Sequence, residues 1–166
     1  MMKEYKAYYP SEIGLLEIIG TKASIKAVNF VAAEASEDSL KQTDLPPLIT
    51  ACLSQFVEYF RGERQEFSLE LDPEGTDFQK AVWHQLTKIP YGQTVSYLDI
   101  AKRVGNEKAV RAVGAANGQN KISIIVPCHR VIGSNGQLTG YGGGLWRKAW
   151  LLNHEKRFCG PQMTLF

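Results

Sequence analysis

The chain changes its composition at the segment "DPEG" (residues 72–75), and this break limits how it can fold. Residues 1–75 contain seven lysines and arginines and thirteen acidic residues, whereas residues 76–166 contain twelve lysines and arginines and four acidic residues. Proline and glycine placed so closely favour a turn over a continuing strand or helix. We therefore expect two units, residues 1–75 and 76–166. The basic second unit would face an anionic partner, unless the charge is ordinary solvated surface.

The acidic unit has the pattern of a small sheet with a helix. Residues 4–9 and 14–31 predict short strands, with a hairpin turn inside the second stretch. The polar segment 34–47 predicts a loop. Apolar residues then recur every fourth position and predict a helix that ends near Gly62: Leu48, Cys52, Phe56 and Phe60. Alternating apolar residues at 67–71 predict a last strand.

The basic unit opens with a helix and continues with a helix-turn-helix pattern. Apolar residues within 78–89 share a helical face, and Thr76 or its neighbour can cap this helix. Ser96 and Asp99 have the spacing of a capping box, and a second helix is expected over residues 108–117. A plain helical hairpin has the same pattern, so it indicates DNA binding only weakly.

The second helix of this pattern is rich in small residues: Ala109, Ala112, Gly114, Ala115 and Ala116. Glycine destabilises a helix, so a compensating advantage is expected. Small side chains let the backbone come close to another surface, either a neighbouring helix or DNA. Arg111 is the only long cation in this stretch, and the plainer interpretation of it is a solvated surface arginine.

A cysteine follows an apolar run and precedes a histidine and an arginine. Residues 124–126 predict a buried strand that ends at Pro127. Cys128 in such a place is usually a small buried hydrophobe. A nucleophile needs a lowered pKa, because only about 3% of an unperturbed thiol is ionised at pH 7. His129 could act as the base, although successive residues of an extended chain point to opposite sides, so a bridging water or a turn at Pro127 is expected to connect the two. Glu155 is the leading candidate to orient it.

The chain after this cysteine is glycine-rich and then helical. Residues 142–144 are glycines, which permit unusual backbone shapes and leave N–H groups accessible. Leu145, Ala149 and Leu152 predict a final helix, with Trp146 and Trp150 on another stripe.

Several classes of protein are disfavoured. No apolar run approaches the roughly 18 residues that span a membrane, and the first ten residues lack the apolar core of a signal peptide, so we expect a cytoplasmic protein. Three widely spaced cysteines, without CxxC or HxxxH spacing, indicate neither a disulfide framework nor a metal site, and no cofactor is expected.

Together these segments resemble the O6-alkylguanine-DNA alkyltransferase family, also called methylated-DNA–protein-cysteine methyltransferases. The resemblance covers residues 76–157 and rests on "TDFQKAVWHQLTKIPYGQ", "VSYLDIAKRVGN", "KAVRAVGAANGQN", "IVPCHRVIGSNG" and "GYGGGLWRKAWLLNHE". It implies a two-domain α+β protein with a ribonuclease H-like N-terminal domain and a mostly helical C-terminal domain. It also implies that one alkyl group moves from O6 of guanine in DNA to a cysteine, which consumes the protein. O4-alkylthymine is a second candidate lesion.

The resemblance implies roles for individual residues. Cys128 matches the alkyl acceptor, His129 the base that acts through a water, and Glu155 the acid that orients it. Asn120 matches a hinge between the recognition helix and the active-site strand. Tyr97 matches a proton donor near guanine N3.

The resemblance also implies a DNA surface and a base pocket. Arg111 matches a finger that replaces the flipped nucleotide, entering from the minor groove. Further DNA contacts fall on Ala112, Ser96, Lys108 and Arg130. The base pocket falls on Val131, Tyr141, Gly142 and Asn117. Gly142 stands where some members have serine, and Asn117 where others have a larger apolar residue.

The expected partner is double-stranded DNA that contains O6-alkylguanine, bound by a monomer, with no membrane involved. Two rival interpretations remain. One is a non-catalytic alkyltransferase-like protein that flags the lesion, although such proteins lack the acceptor cysteine. The other is a Cys–His–Glu hydrolase that turns over.

Overall fold

The structure, a computed structural model, describes residues 2–32 and 43–159. It divides into two compact units. The first comprises Met1–Glu74 together with Lys121–Ser123, and the second comprises Gly75–Asn120 and the chain from Ile124 onward. Most of the loop predicted at 34–47 lies outside the described residues.

The first unit contains an antiparallel three-stranded sheet and a helix. Strands β1 (Tyr5–Ser11), β2 (Gly14–Gly20) and β3 (Ile25–Val31) neighbour each other in chain order, and α1 spans Pro47–Phe60. The predicted hairpin turn is closed where the N–H of Thr21 donates to the carbonyl of Ser24 at 2.9 Å. These strands and this helix confirm the prediction from the sequence.

The strand predicted at 67–71 is wrong. Among the described residues it forms only one isolated bridge, in which Leu71 lies opposite Ile25. The N–H of Ile25 donates to the carbonyl of Glu70, and the N–H of Asp72 donates to the carbonyl of Ile25. Phe67, the first apolar residue of this stretch, packs against α1, because its ring lies 5.2 Å from that of Phe56.

The second unit is mostly helical. Its helices are α2 (Asp77–Leu86), α3 (Tyr97–Arg103), α4 (Val110–Gly118) and α5 (Leu145–Phe158). The two-residue strands β4 (Val95–Ser96) and β5 (Val131–Ile132) pair in parallel. All four helices contribute buried apolar residues, among them Val82, Leu86, Ile100, Val113, Ala116 and Leu151.

The predicted helix starts of this unit are confirmed by their caps. Thr76 forms a full capping box with Gln79, and Ser96 forms one with Asp99. These caps satisfy N–H groups that would otherwise lack partners in the first helical turn. A 3₁₀ turn, Glu107–Ala109, lies between α3 and α4 and begins the second helix of the pair.

The buried strand predicted before the cysteine is also wrong. Residues 124 and 125 form a turn, and Ile124 has a left-handed φ of 72°. The side chains of Ile124 and Val126 are nevertheless buried. The apolar run therefore indicated burial correctly and backbone conformation incorrectly, and the burial offsets a strain of about 1–2 kcal/mol.

Helix α5 buries a different stripe from the one predicted. Leu145 and Trp146 are 50% and 58% exposed, whereas Lys148 and Glu155 are fully buried. Polar groups can be buried when they have hydrogen-bond partners, and here they do. Those partners form the candidate site.

Candidate active site

One tight turn carries the cysteine and its two neighbours into the interior. Cys128–Arg130 forms a 3₁₀ turn directly after Pro127, and all three of its residues are buried. The N–H of Arg130 donates to the carbonyl of Pro127 at 2.9 Å. This is the turn at Pro127 that the sequence offered as an alternative to an extended backbone, so neighbouring side chains need not point to opposite sides here.

The thiol of Cys128 is held by an amide. Asn120 donates from Nδ2 to Cys128 Sγ at 3.1 Å and to the carbonyl of Val126 at 2.8 Å. Burial raises the pKa of Cys128 to about 11, while the Asn120 hydrogen bond and the charge of Lys148 lower it. In this structure the residue is therefore a thiol. The lowered pKa expected of a nucleophile is not present here, because burial outweighs the favourable neighbours.

Glu155 joins the histidine and the arginine of the turn. His129 Nε2 lies 2.6 Å from Glu155 Oε2. Arg130 donates from Nε to Oε1 of the same carboxylate at 2.7 Å and from Nη2 to Oε2 at 3.0 Å. The third nitrogen, Nη1, donates to the carbonyl of Ile89 at 2.6 Å. The carboxylate is thus fixed from two sides.

The charges of this group set its protonation. Burial alone would raise the pKa of Glu155, but His129 and Arg130 hold it well below its usual range. Burial lowers the pKa of His129; Glu155 raises it, and Arg130 and Lys148 lower it further. A neutral imidazole that donates from Nε2 has its acceptor at Nδ1. That atom is buried and has no hydrogen-bond partner in the described part of the chain.

A buried lysine ties the glycine-rich segment to the site. Lys148 donates from Nζ to the carbonyl of Thr139 at 2.7 Å and to that of Gly140 at 3.4 Å. The hydroxyl of Tyr97 donates to the same Thr139 carbonyl at 3.1 Å and accepts from Thr139 Oγ1 at 3.2 Å. Burial lowers the pKa of Lys148 to about 8, while Cys128 raises it.

The predicted pocket residues lie around the same turn. Asn117 donates from Nδ2 to the carbonyl of Cys128 at 3.3 Å. Val131, in β5, is fully buried. Tyr141 is half-buried, and burial and the nearby Cys128 raise the pKa of its hydroxyl well above the usual value. A Cβ placed on Gly142 would lie 3.8 Å from the carbonyl oxygen of Gly118.

The residues predicted to contact DNA separate into two groups. Arg111, Ala112 and Lys108 are exposed, while the hydroxyl of Ser96 is occupied as the cap of α3. Arg130 is 7% exposed, and its guanidinium binds Glu155 and Ile89. This burial argues against the DNA contact expected for Arg130, because a guanidinium whose nitrogens are bonded inside the protein cannot also bind a DNA phosphate.

Reasoning from the sequence missed Lys148, Thr139 and the bond between Arg130 and Glu155. Lys148 precedes Glu155 by seven residues, so the two lie on one helical face, and this spacing was a usable signal. Nothing in the sequence indicated the hydroxyl contact of Thr139.

Two further features concern ligands and membranes. Residues 2–32 and 43–159 contain no group of three or more His, Cys, Asp or Glu side chains that could hold a metal ion. Over the same residues, the helices are too short or too polar to cross a membrane.

Comparisons with known proteins bear on both units. Residues 77–157 match the DNA binding domain of 6-O-methylguanine DNA methyltransferase, and residues 4–73 match its ribonuclease-like domain. A methylated-DNA–protein-cysteine methyltransferase of Mycolicibacterium paratuberculosis is 46% identical over 99% of both chains. One of Methanosarcina acetivorans is 47% identical over 91% of this chain and 97% of its own.

Solved structures show the same likeness. The crystal structure of Mycobacterium tuberculosis O6-methylguanine methyltransferase has a TM-score of 0.84 at 44% identity, covering 99% of each chain. A structure of Mycobacterium tuberculosis OGT in complex with DNA has a TM-score of 0.82 at 45% identity, covering 97% of this chain and 98% of its own.

The α+β fold and these likenesses define a DNA-binding transferase that acts in DNA repair. The chain belongs to the O6-methylguanine DNA methyltransferase family, whose members are named for methyl transfer from DNA to a protein cysteine.

Proposed function

We propose that Cys128 accepts the alkyl group of O6-alkylguanine in double-stranded DNA, once per protein molecule. The observation that carries the proposal is the placement of its sulfur. Cys128 Sγ is buried beside the amide of Asn120, in the same turn as His129, whose ring is bound to Glu155. As the Sγ–carbon bond forms, the carbon–O6 bond breaks. No ordinary side chain hydrolyses the resulting thioether, so the protein is consumed.

The protons of this reaction have defined donors and acceptors. The thiol proton passes through a water to Nδ1 of His129, and Glu155 stabilises the imidazolium. The electron pair of the broken bond stays on guanine, which takes a proton from the hydroxyl of Tyr97. The proton held by His129 then returns through solvent to Tyr97. The Nδ1 atom of His129 is buried and has no hydrogen-bond partner among the described residues, which supports its role as the acceptor of the thiol proton.

Helix α4 is proposed to enter the minor groove. Its exposed face is formed by one arginine and three small residues: Arg111, Ala112, Ala115 and Gly118. The described residues leave open space beside the Cα of Gly118. Such a smooth face fits close approach to DNA, with Arg111 in the gap left by the flipped nucleotide. Flipping is needed because O6 is inaccessible in a duplex, and it costs a few kcal/mol.

The flipped base would enter a pocket formed by residues near the cysteine: Asn117, Val131, Tyr141 and Gly142. The carbonyl of Cys128 already accepts a hydrogen bond from Asn117. We propose that a monomer suffices, since the candidate groups lie in one unit of one chain.

The test is incubation with duplex DNA that carries one O6-methylguanine, followed by intact mass and peptide mapping. The expected product carries one methyl group on Cys128, with repair reaching a plateau at one equivalent of protein. Cys52 and Cys159 are internal controls, and a methyl group on either would contradict the assignment. Product release beyond one equivalent would favour the hydrolase, and lesion binding without transfer would favour the non-catalytic protein.

A further inference from the structure

The guanidinium of Arg130 is used inside the protein. Two of its nitrogens donate to the two oxygens of Glu155, and the third donates to the carbonyl of Ile89. The side chain is 8% exposed, and its Cζ lies 5.7 Å from the ring centre of Tyr91. A two-point contact between a planar guanidinium and a carboxylate fixes the orientation of both groups.

Besides the backbone N–H of Gly92, which donates to Oε1 at 3.3 Å, Glu155 therefore serves two ionisable donors of different chemistry. Its Oε2 contacts His129 Nε2 at 2.6 Å and Arg130 Nη2 at 3.0 Å. A buried carboxylate that faced only a histidine would draw a second proton onto the ring, because an isolated buried charge is costly. Arg130 carries a permanent positive charge. The Arg130–Glu155 pair is thus already neutral, and His129 can remain neutral beside it.

We propose that Arg130 is a positioning residue that keeps Glu155 ionised and His129 neutral with its proton on Nε2. Nδ1 then stays free to accept the thiol proton. This inference rests on the proposed function of Cys128. Arg130 acts through Glu155 and touches neither the thiol nor the lesion.

Other ionisable groups near the histidine do not replace Arg130. Lys148, from α5, lowers the pKa of His129 as well, but its Nζ binds the carbonyls of Thr139 and Gly140. The thiol of Cys128 and the hydroxyls of Tyr91 and Tyr141 have raised pKa values, so they are neutral near pH 7. Arg130 is the cation bound to both oxygens of the carboxylate.

The first test measures the rate of methyl transfer at saturating lesion DNA from about pH 5 to about pH 9. In Arg130→Gln, His129 should hold its proton to higher pH. The acid limb of the profile should then move up by about one unit or more, so that roughly tenfold more activity is lost at low pH than at high pH. Arg130→Lys keeps the positive charge but cannot make the two-point contact with the carboxylate. It should lower the maximum rate of methyl transfer while leaving the midpoint of the acid limb near that of the wild type.

The matched control is Arg157→Gln, which removes an exposed cation from the same helix as Glu155. Its profile should match that of the wild type. A uniform loss of rate in Arg130→Gln, with the midpoint unmoved, would mean that Arg130 only supports the fold and would overturn the proposal.

The second test uses the wild type and does not depend on the folding of a variant. The ¹⁵N resonances of His129 should report a neutral ring protonated at Nε2 at neutral pH. An imidazolium, or a ring protonated at Nδ1, would overturn the proposal. If the wild type transfers no methyl group to Cys128, the proposed function fails, whereas the resonances of His129 in the wild type and in Arg130→Gln still decide whether Arg130 keeps the ring neutral.

Discussion

The side-chain amide of Asn120 donates a hydrogen bond to the sulfur of Cys128 at 3.1 Å. The same nitrogen donates to the carbonyl of Val126 at 2.8 Å. An amide nitrogen carries two hydrogens, so both bonds form together. Because a hydrogen bond to an ionised acceptor is stronger than one to a neutral acceptor, Asn120 favours the thiolate over the thiol.

Asn120→Ala should therefore raise the pKa of Cys128 and slow its alkylation. Hydrogen bonds to charged groups contribute about 1.5–3 kcal/mol, which corresponds to a loss of roughly tenfold or more. The measurement is the pH dependence of Cys128 alkylation by a small reagent, located by peptide mapping. Gln119→Ala is the control, because Gln119 pairs with Gln79 and not with the thiol. Equal rates in both variants would remove Asn120 from thiol activation.

The sequence predicted the helices and their caps well, because these depend on local spacing. Thr76 and Ser96 were found from short-range patterns alone. The turn at Ile124 was not predictable in this way, because its left-handed backbone is held by burial of its side chain. An apolar pattern records that a residue is buried, and a strand or a turn can bury it equally.

The candidate site was predicted in part for a related reason. The contact between His129 and Glu155 was expected from chemistry and resemblance, and the structure contains it. The inward direction of Arg130 and Lys148 was not expected, since long cations are usually exposed. Their burial depends on the carboxylate and carbonyl partners that the tertiary fold brings to them.

Glu155→Gln should weaken the protein most at neutral pH. The pKa of Glu155 is held below its usual value of 4.5, so the folded state binds fewer protons than the unfolded state in mild acid. The stabilisation is complete above that value and is lost as the pH falls. Removing the carboxylate also leaves Arg130 buried without its partner, a change that costs about 3–5 kcal/mol.

The measurement is the urea midpoint of wild type and variant at several pH values. The midpoint of Glu155→Gln should lie below that of the wild type at pH 7, and the gap should narrow in acid. Glu107→Gln, which alters an exposed carboxylate, is the control. A gap that stays constant with pH would show that Glu155 does not titrate as proposed.

Lys148→Met tests the buried lysine at alkaline pH. The pKa of Lys148 is lowered to about 8 from a usual value of 10.5, so the buried ammonium destabilises the fold below pH 8. That penalty disappears as the pH rises from about 8 to the usual lysine pKa of 10.5, because in this interval the unfolded state binds more protons than the folded state. The free energy of unfolding of the wild type, relative to Lys148→Met, should therefore rise across this interval. A flat difference would place the lysine pKa near its usual value.

Arg111→Ala separates base flipping from chemistry. Arg111 is exposed on α4 and makes no salt bridge or hydrogen bond within the described residues. If it fills the gap left by a flipped nucleotide, it matters only when a duplex must be opened. The variant should repair duplex O6-methylguanine much more slowly, yet it should react with free O6-benzylguanine at nearly the wild-type rate.

Two further measurements make the result on Arg111 decisive. Saturating DNA separates the flipping defect from a loss of DNA affinity. If Arg111 contacts a phosphate, the slope of log affinity against log salt concentration should become smaller by up to about one unit. Lys102→Ala, which removes another exposed cation from the helical pair, is the control for charge alone. Equal slowing of Arg111→Ala on both substrates would assign the arginine to the fold or the pocket. Unchanged repair of duplex DNA, even at limiting concentration, would make it an ordinary solvated arginine.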